Sequence, residues 1–222
     1  MTSPGPDHYF RCPHCKGVLR RKTLCSLNTF GAKLWSDGYL DIAMTSVAVQ
    51  ATRCPSCAKA FFVSDAEDLG RYWLHNSSGR PSKTPLPESY KDAPIARDAD
   101  LAALSELIHQ TEDRDRLRYL RLQAWHNGNR ANRYAGTTDT DPVQKPIGFD
   151  ENLEGLIDLL EDDRGQSQLM KAEALRELGK YPDAISALNG IDTELTWAAD
   201  QIRSLAQGKV CSVGVLLRPD EG

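Results

Sequence analysis

Apolar residues in the first third of the chain fall in short runs, not in long helical stripes. Residues 18–27 and 40–49 mix β-branched and other apolar side chains with polar ones. Gly31 and the Asp37-Gly38 pair interrupt them as turn signals. Ala60-Phe61-Phe62-Val63 reads as one more short strand, and residues 65–75 as a helical turn leading out. This pattern predicts a small antiparallel sheet. Residues 76–97 carry Pro81, Pro85, Pro87 and Pro94, the composition of an extended linker, part of which drapes over a neighbouring surface. From Asp98 onward the period becomes that of a helix. Leu101, Leu104, Leu107 and Ile108 recur at helical spacing, and a second helix over 113–133 places Leu117, Leu120, Ala124 and Trp125 on one face. A loop over 134–149 follows, then a helix over 152–160 carrying Leu153, Leu156, Ile157 and Leu160. Next come a tight pair over 167–178 and 182–188, and a further helix over 194–206. The apolar tail 210–217 either docks as a strand or completes the core. The fold class expected is α+β.

Composition narrows the class. A chain of 222 residues, 40% of them hydrophobic, is long enough for one or two domains with real cores. No apolar run approaches the ~18 residues of a membrane span, so no membrane association is expected. The first residues lack a basic stretch followed by an apolar one, which argues against a secretion signal and for a cytoplasmic protein. The net charge of -4 is uneven: residues 1–76 carry +3, residues 77–149 carry +1 and residues 150–222 carry -8. An acidic C-terminal third is poorly suited to wrapping nucleic acid, although a local basic surface remains open.

Six cysteines then change the picture. Four form two CxxC pairs, Cys12-Pro13-His14-Cys15 and Cys54-Pro55-Ser56-Cys57, separated by 38 residues. Each pair offers two sulfurs from one turn, and two such turns supply the four thiolates of a tetrahedral metal site, for which Zn2+ is the default occupant. A long chain without a secretion signal favours metal over disulfides, and two matched pairs outside a βαβ pattern argue against a redox CxxC. Cys25 is a weaker fifth candidate ligand, and Cys211 reads as a small buried hydrophobe. The two pairs resemble the knuckles of zinc ribbons and of rubredoxin-like domains, whose motif is CPxCG. The chain departs from that motif by placing Lys16 and Ala58 where the motif has glycine. The resemblance implies a metal held by Cys12, Cys15, Cys54 and Cys57, with iron as the alternative to zinc because rubredoxin holds iron in the same sulfur set.

The segment from Ala172 to Leu188 resembles one tetratricopeptide repeat. Ala172 and Ala184 are small where two helices cross, Gly179 makes the turn, Tyr181 fills the wedge and Leu188 continues the packing face. Only one such unit is clear, whereas a stable array takes three or more; a plain helical hairpin in a bundle is the alternative. Together with the Asn28-Thr29-Phe30-Gly31-Ala32 stretch and Ser36-Asp37-Gly38, the chain resembles an uncharacterised bacterial protein family. That family joins an N-terminal zinc ribbon to C-terminal tetratricopeptide-like helices. The resemblance implies a zinc ribbon over 8–75, the linker over 76–97 and a tetratricopeptide-like domain over 98–218. Asn28, Trp35 and Asp37 read either as a hairpin turn with a buried Trp or as a ligand surface beside the metal.

One further segment carries potential chemistry. Six arginines between 114 and 133 are interleaved with Tyr119 and Trp125. Arg114, Arg118, Arg121, Trp125 and Arg130 are a candidate partner surface, since arginines with aromatics clamp phosphates or stack on bases. The competing reading is a solvated face whose arginines pair with Glu112, Asp113, Asp115 and the acidic stretch 150–163. His14 sits inside a knuckle, and His8, His75, His109 and His126 are scattered. No HExxH, GxSxG, GxGxxG or phosphate-binding glycine loop occurs, so catalysis is not expected. The reading is a protein-interaction module with an unidentified protein partner and a structural four-cysteine zinc site; the alternative is a nucleic-acid-binding zinc-ribbon regulator.

Overall fold

Short apolar runs broken by glycine and proline give short strands, and the 3.6-residue period gives helices. The computed structural model describes residues 2–42, 50–73, 85–134, 145–160 and 165–218. Its strands are β1 (Ser3–Pro4), β2 (Asp7–Arg11), β3 (Val18–Arg21), β4 (Leu24–Ser26), β5 (Lys33–Trp35), β6 (Leu40–Asp41), β7 (Ala51–Arg53), β8 (Ala60–Phe62), β9 (Glu67–Tyr72) and β10 (Val215–Leu216). Its helices are α1 (Leu101–Gln110), α2 (Arg114–Gly128), α3 (Arg130–Tyr134), α4 (Phe149–Ile157), α5 (Gln166–Glu177), α6 (Tyr181–Ala187) and α7 (Thr196–Gln207). The α+β class expected from the sequence is present, with small antiparallel sheets and helices. Among the described residues no helix is long and apolar enough to cross a membrane.

The chain forms two compact units. The first, the sheet unit, comprises residues 1–30 and 42–110. Its main sheet runs β3-β2-β9, all antiparallel, beside the two-stranded pairs β1-β4 and β7-β8. Phe10, Leu19, Phe61, Val63 and Ala96 pack with Cys12 and Cys54 into its core. Residues 65–75, expected as a helical turn, instead supply β9, because Gly70 at φ +99° permits a bulge that lets the stretch pair along β2; His75 lies outside the described residues. The described part of the expected linker lies along the sheet. Arg20 and Pro94 join main chains, the Arg20 guanidinium reaches Asp7 and the Ala93 carbonyl, and Ala93 and Ala96 are buried. Helix α1 packs on β7 and β8 and so belongs here, not with the later helices.

The second, helical unit comprises residues 31–41 and 111–222. Here the expected boundaries are corrected again: the hairpin β5-β6, at the middle of the stretch between the two cysteine pairs, belongs to the helices. The tail strand β10 pairs with β5, placing Leu216 opposite Leu34, so the tail docks as a strand. Asp113 caps α2 by accepting from the Arg116 amide at 2.8 Å. One core gathers Trp125, Phe149, Leu153, Leu156, Leu160, Met170 and Ala174; another gathers Leu169, Ala172, Leu188, Ala198, Ala199, Ile202 and Leu216. Gly155 lets α2 approach α4, because a Cβ there would meet the Arg121 guanidinium. Gly179, at φ +77°, turns α5 into α6, and Ala172 and Ala184 are fully buried.

The helical unit also holds a buried polar network. The Asp37 carboxylate accepts from Arg133 and, at 3.0 Å, from the Asn129 amide. Glu173 holds Arg176 through two contacts of 2.6 and 2.8 Å and accepts from the Ser36 hydroxyl. Glu177 accepts from the Trp125 indole at 3.0 Å and from Asn129. Three carboxylates thus face two guanidiniums. Burial, with Glu173 and Asp37 alongside, pushes the Glu177 carboxyl well above its ordinary 4.5, so it keeps its proton to higher pH than a free carboxyl does. His126, whose Nε2 lies 3.1 Å from the Asp37 carbonyl, is lowered by burial and stays neutral. A carboxyl raised on folding gives its full stability below pH 4.5, and that stability is lost as pH rises above it. Glu177→Gln, which mimics the protonated acid, should match the wild type near pH 4. It should gain on it at higher pH, by up to about 1.4 kcal/mol per unit. Urea unfolding across pH 4–8 checks this; a variant that loses ground as pH rises contradicts it.

Candidate metal centre

Both CxxC pairs fold into the same turn. After Cys12 the chain reverses, with the Lys16 amide donating to the Cys12 carbonyl at 3.0 Å and the Cys12 amide to the Gly17 carbonyl at 2.9 Å. The second turn repeats this, from Ala58 to Cys54 and from Cys54 to Lys59, each at 2.9 Å. Closing these turns requires a left-handed residue after the second cysteine. Lys16 (φ +62°) and Ala58 (φ +57°) adopt it although neither is glycine, so the departure from the CPxCG motif leaves the turn geometry intact. An L-residue in this region costs about 1–2 kcal/mol, partly offset by glycine's larger loss of freedom on folding. Ala58 is exposed. Ala58→Gly is therefore expected to stabilise the metal-loaded sheet unit by about 1 kcal/mol, read from its denaturant midpoint; an unchanged or lowered midpoint contradicts the left-handed turn.

The four sulfurs all lie within 4.8 Å of one another. Cys12 and Cys57 stand 3.8 Å apart, and Cys15 and Cys54 3.7 Å. A tetrahedron with metal–sulfur bonds of about 2.3 Å has edges of about 3.8 Å. The spacing fits a four-thiolate ion and is far too long for disulfides. Cys12 and Cys54 are buried, Cys57 half-buried and Cys15 exposed, so the centre lies at the edge of the unit's core. Cys25 is exposed in β4 and outside the cluster. Cys211 is half-buried, with its sulfur 2.7 Å from the Tyr181 hydroxyl.

The turns also prepare the sulfurs for charge. The amides of Cys15 and His14 face the Cys12 sulfur, those of Cys57 and Ser56 face Cys54, and that of Lys59 faces Cys57. At Cys54 burial raises the thiol, but these amides and the neighbouring thiols outweigh it and bring it down to about 7. At Cys12 burial prevails, and the thiol is pushed up to about 12. Cys54 thus gives up its proton more readily than a free thiol, while Cys12 and Cys57 hold theirs more tightly. A divalent cation supplies the charge that lets all four ionise, and its binding must release protons.

The other candidates separate from this centre. Asn28 is exposed, its Oδ1 capping the Phe30 amide at 3.1 Å. Trp35 and Asp37 are buried in the helical unit, so the reading of a ligand surface beside the metal is corrected to a hairpin turn with a buried Trp. Of the arginine-rich stretch, Trp125 is fully buried and available to no partner. Arg114 reaches the Leu159 carbonyl, Arg121 the Glu151 and Asn152 carbonyls, and Arg118 the Ser167 hydroxyl at 3.1 Å. These arginines meet main-chain oxygens of the acidic stretch and a serine, and Arg121 also feels the Asp158 carboxylate, as the reading of a face turned to that stretch expects; Arg130 is exposed. The sequence did single out Asp37, but its ion pair with Arg133, 96 positions away, has no local signal. Comparison with protein-family models, with curated proteins and with solved structures found no match to this chain in any of the three.

Proposed function

We propose that the chain is a cytoplasmic zinc-ribbon adaptor. In this reading Cys12, Cys15, Cys54 and Cys57 hold one structural Zn2+, and a tetratricopeptide-like helical unit docks a protein partner. The observation that carries it is the four-sulfur cluster with near-tetrahedral spacing. Four thiolates close the coordination shell and leave no position for substrate, which favours a structural over a catalytic metal. The docking role rests on the α5–α6 pair joined at Gly179, with Ala172 and Ala184 at the crossing. The nucleic-acid alternative draws no support from the arginine helix, whose aromatic anchor is in the core. Purified protein should be colourless and carry zinc; visible thiolate-to-iron absorption would replace zinc by iron. Zinc-loaded protein that captures no partner in cells would remove the adaptor role while leaving the metal.

A further inference from the structure

The sheet unit carries a second group of ionisable residues that the metal does not use. The register of the β3-β2-β9 sheet sets Arg21 and Arg71 opposite His8, one on each neighbouring strand. Cross-strand partners share a face, so a row Arg21–His8–Arg71 crosses the sheet. The next row on that face is Leu19–Phe10–Asp68. The bulge at Gly70 brings the Asp68 carboxylate back toward the first row, where it accepts from the Gly70 amide at 2.8 Å and meets His8 Nε2 at 3.0 Å. Arg21 Nε donates to His8 Nδ1 at 3.0 Å. A guanidinium only donates, so Nδ1 is the bare nitrogen and Nε2 carries the proton toward Asp68. Burial, with Arg21 and Arg71 nearby, holds His8 below its ordinary value and therefore neutral, against the pull of Asp68.

His8, Arg21 and Asp68 line one wall of a cavity of about 360 Å³. Phe10, Phe62, Val63 and Ala66 form its apolar side, with Gln50 and Ser64 completing it. The volume lies at the small end of the range for small-molecule sites, and an apolar wall facing a few convergent polar groups is the usual composition of one. Among the described residues, the charges lining it are Arg21 and Asp68, with Arg71 on the adjacent strand outside the lining; the Asp68 carboxylate is 74% exposed and so largely screened by water. The field inside is positive. Both ring nitrogens of His8 are engaged, one by a cation, which disfavours a metal.

We propose that this cavity binds a small organic oxyanion, a carboxylate or phosphate monoester with an apolar or aromatic body. The head lies against Arg21 and His8, and the body lies on Phe62 and Val63. No cysteine lines the cavity, so its ligand would not touch the metal, although the same unit holds both. Binding adds negative charge beside His8, so the ring's resonances report it.

The test is NMR of the His8 imidazole in the full, metal-replete chain, titrated with benzoate, phenyl phosphate and acetate. Benzoate or phenyl phosphate should shift the His8 ring saturably at roughly millimolar concentration, and the one that saturates first names the headgroup. Acetate, which has no body, should bind at least several-fold more weakly. Arg21→Gln should weaken the response several-fold. Asp68→Asn, which removes the opposing charge at an exposed position, should strengthen it; a purely structural His8–Asp68 pair would give no gain. Saturable binding of either aromatic probe with this pattern supports the site. Absence of saturation by both below about 20 mM, or an Asp68→Asn variant that binds no better, overturns it.

Discussion

Asp37→Ala is expected to destabilise the helical unit by about 3–5 kcal/mol, the range for breaking a buried ion pair from one side. Asp37 is fully buried, and its carboxylate accepts from Arg133, Asn129 and, through Oδ1, the Tyr39 amide at 3.1 Å. Truncation leaves the Arg133 guanidinium, whose side chain is 2% exposed, as an uncompensated charge. The guanidinium also lies 4.2 Å from the centre of the Tyr39 ring, but a ring face is a weak substitute for a carboxylate. Against a typical total of about 5–15 kcal/mol, the loss is enough to unfold the unit in part of the population. Asp37→Asn keeps the turn-stabilising oxygen while removing the charge, and should fall between wild type and alanine. Adding Arg133→Met to Asp37→Ala should recover stability, because the stranded charge is gone. Urea unfolding followed by the emission of the buried Trp35 and Trp125 reads all of these. A cost below about 1 kcal/mol for Asp37→Ala would mean that the hairpin is not seated as described.

Cys12→Ser and Cys54→Ser are expected to abolish the fold of the sheet unit as well as its metal. The core of that unit is small, and two of its buried members are themselves candidate ligands. A sheet of two- to six-residue strands has too little apolar area to stand without a crosslink, while a structural zinc contributes on the order of 10 kcal/mol at neutral pH. Helix α1 packs on β7 and β8, so it should lose protection together with the strands. Amide hydrogen exchange should show the loss in residues 2–30, 50–73 and 85–110. Retained protection there, with metal absent, would mean that the ion is dispensable for the fold.

Much of this was legible in the sequence because the signals are local. A CxxC pair forms its turn from four adjacent residues, so the four candidate ligands that the fold brings together could be read directly. The helical period over 152–160 and 167–188 survived because those helices bury one face against their sequence neighbours. Strand β9 was missed because Glu67-Asp68-Leu69-Gly70 has turn composition, and only pairing with β2 makes it extended. Trp125 was offered to a partner because its burial depends on α4 and α5, which close over it from more than twenty residues away. The membership of the β5-β6 hairpin was hidden for the same reason: its anchor is a carboxylate whose cation lies 96 positions on. Neither the charge balance around Glu177 nor the row Arg21–His8–Arg71 leaves a mark in the linear order, since both exist only once strands or helices are aligned.

The most direct measurement is elemental analysis of the full chain, purified under reducing conditions with metal available, beside Cys12→Ser. About one zinc per wild-type chain and none in the variant is the result expected from four sulfurs spaced for a tetrahedron. Well-folded, reduced wild-type protein containing neither zinc nor iron would contradict it.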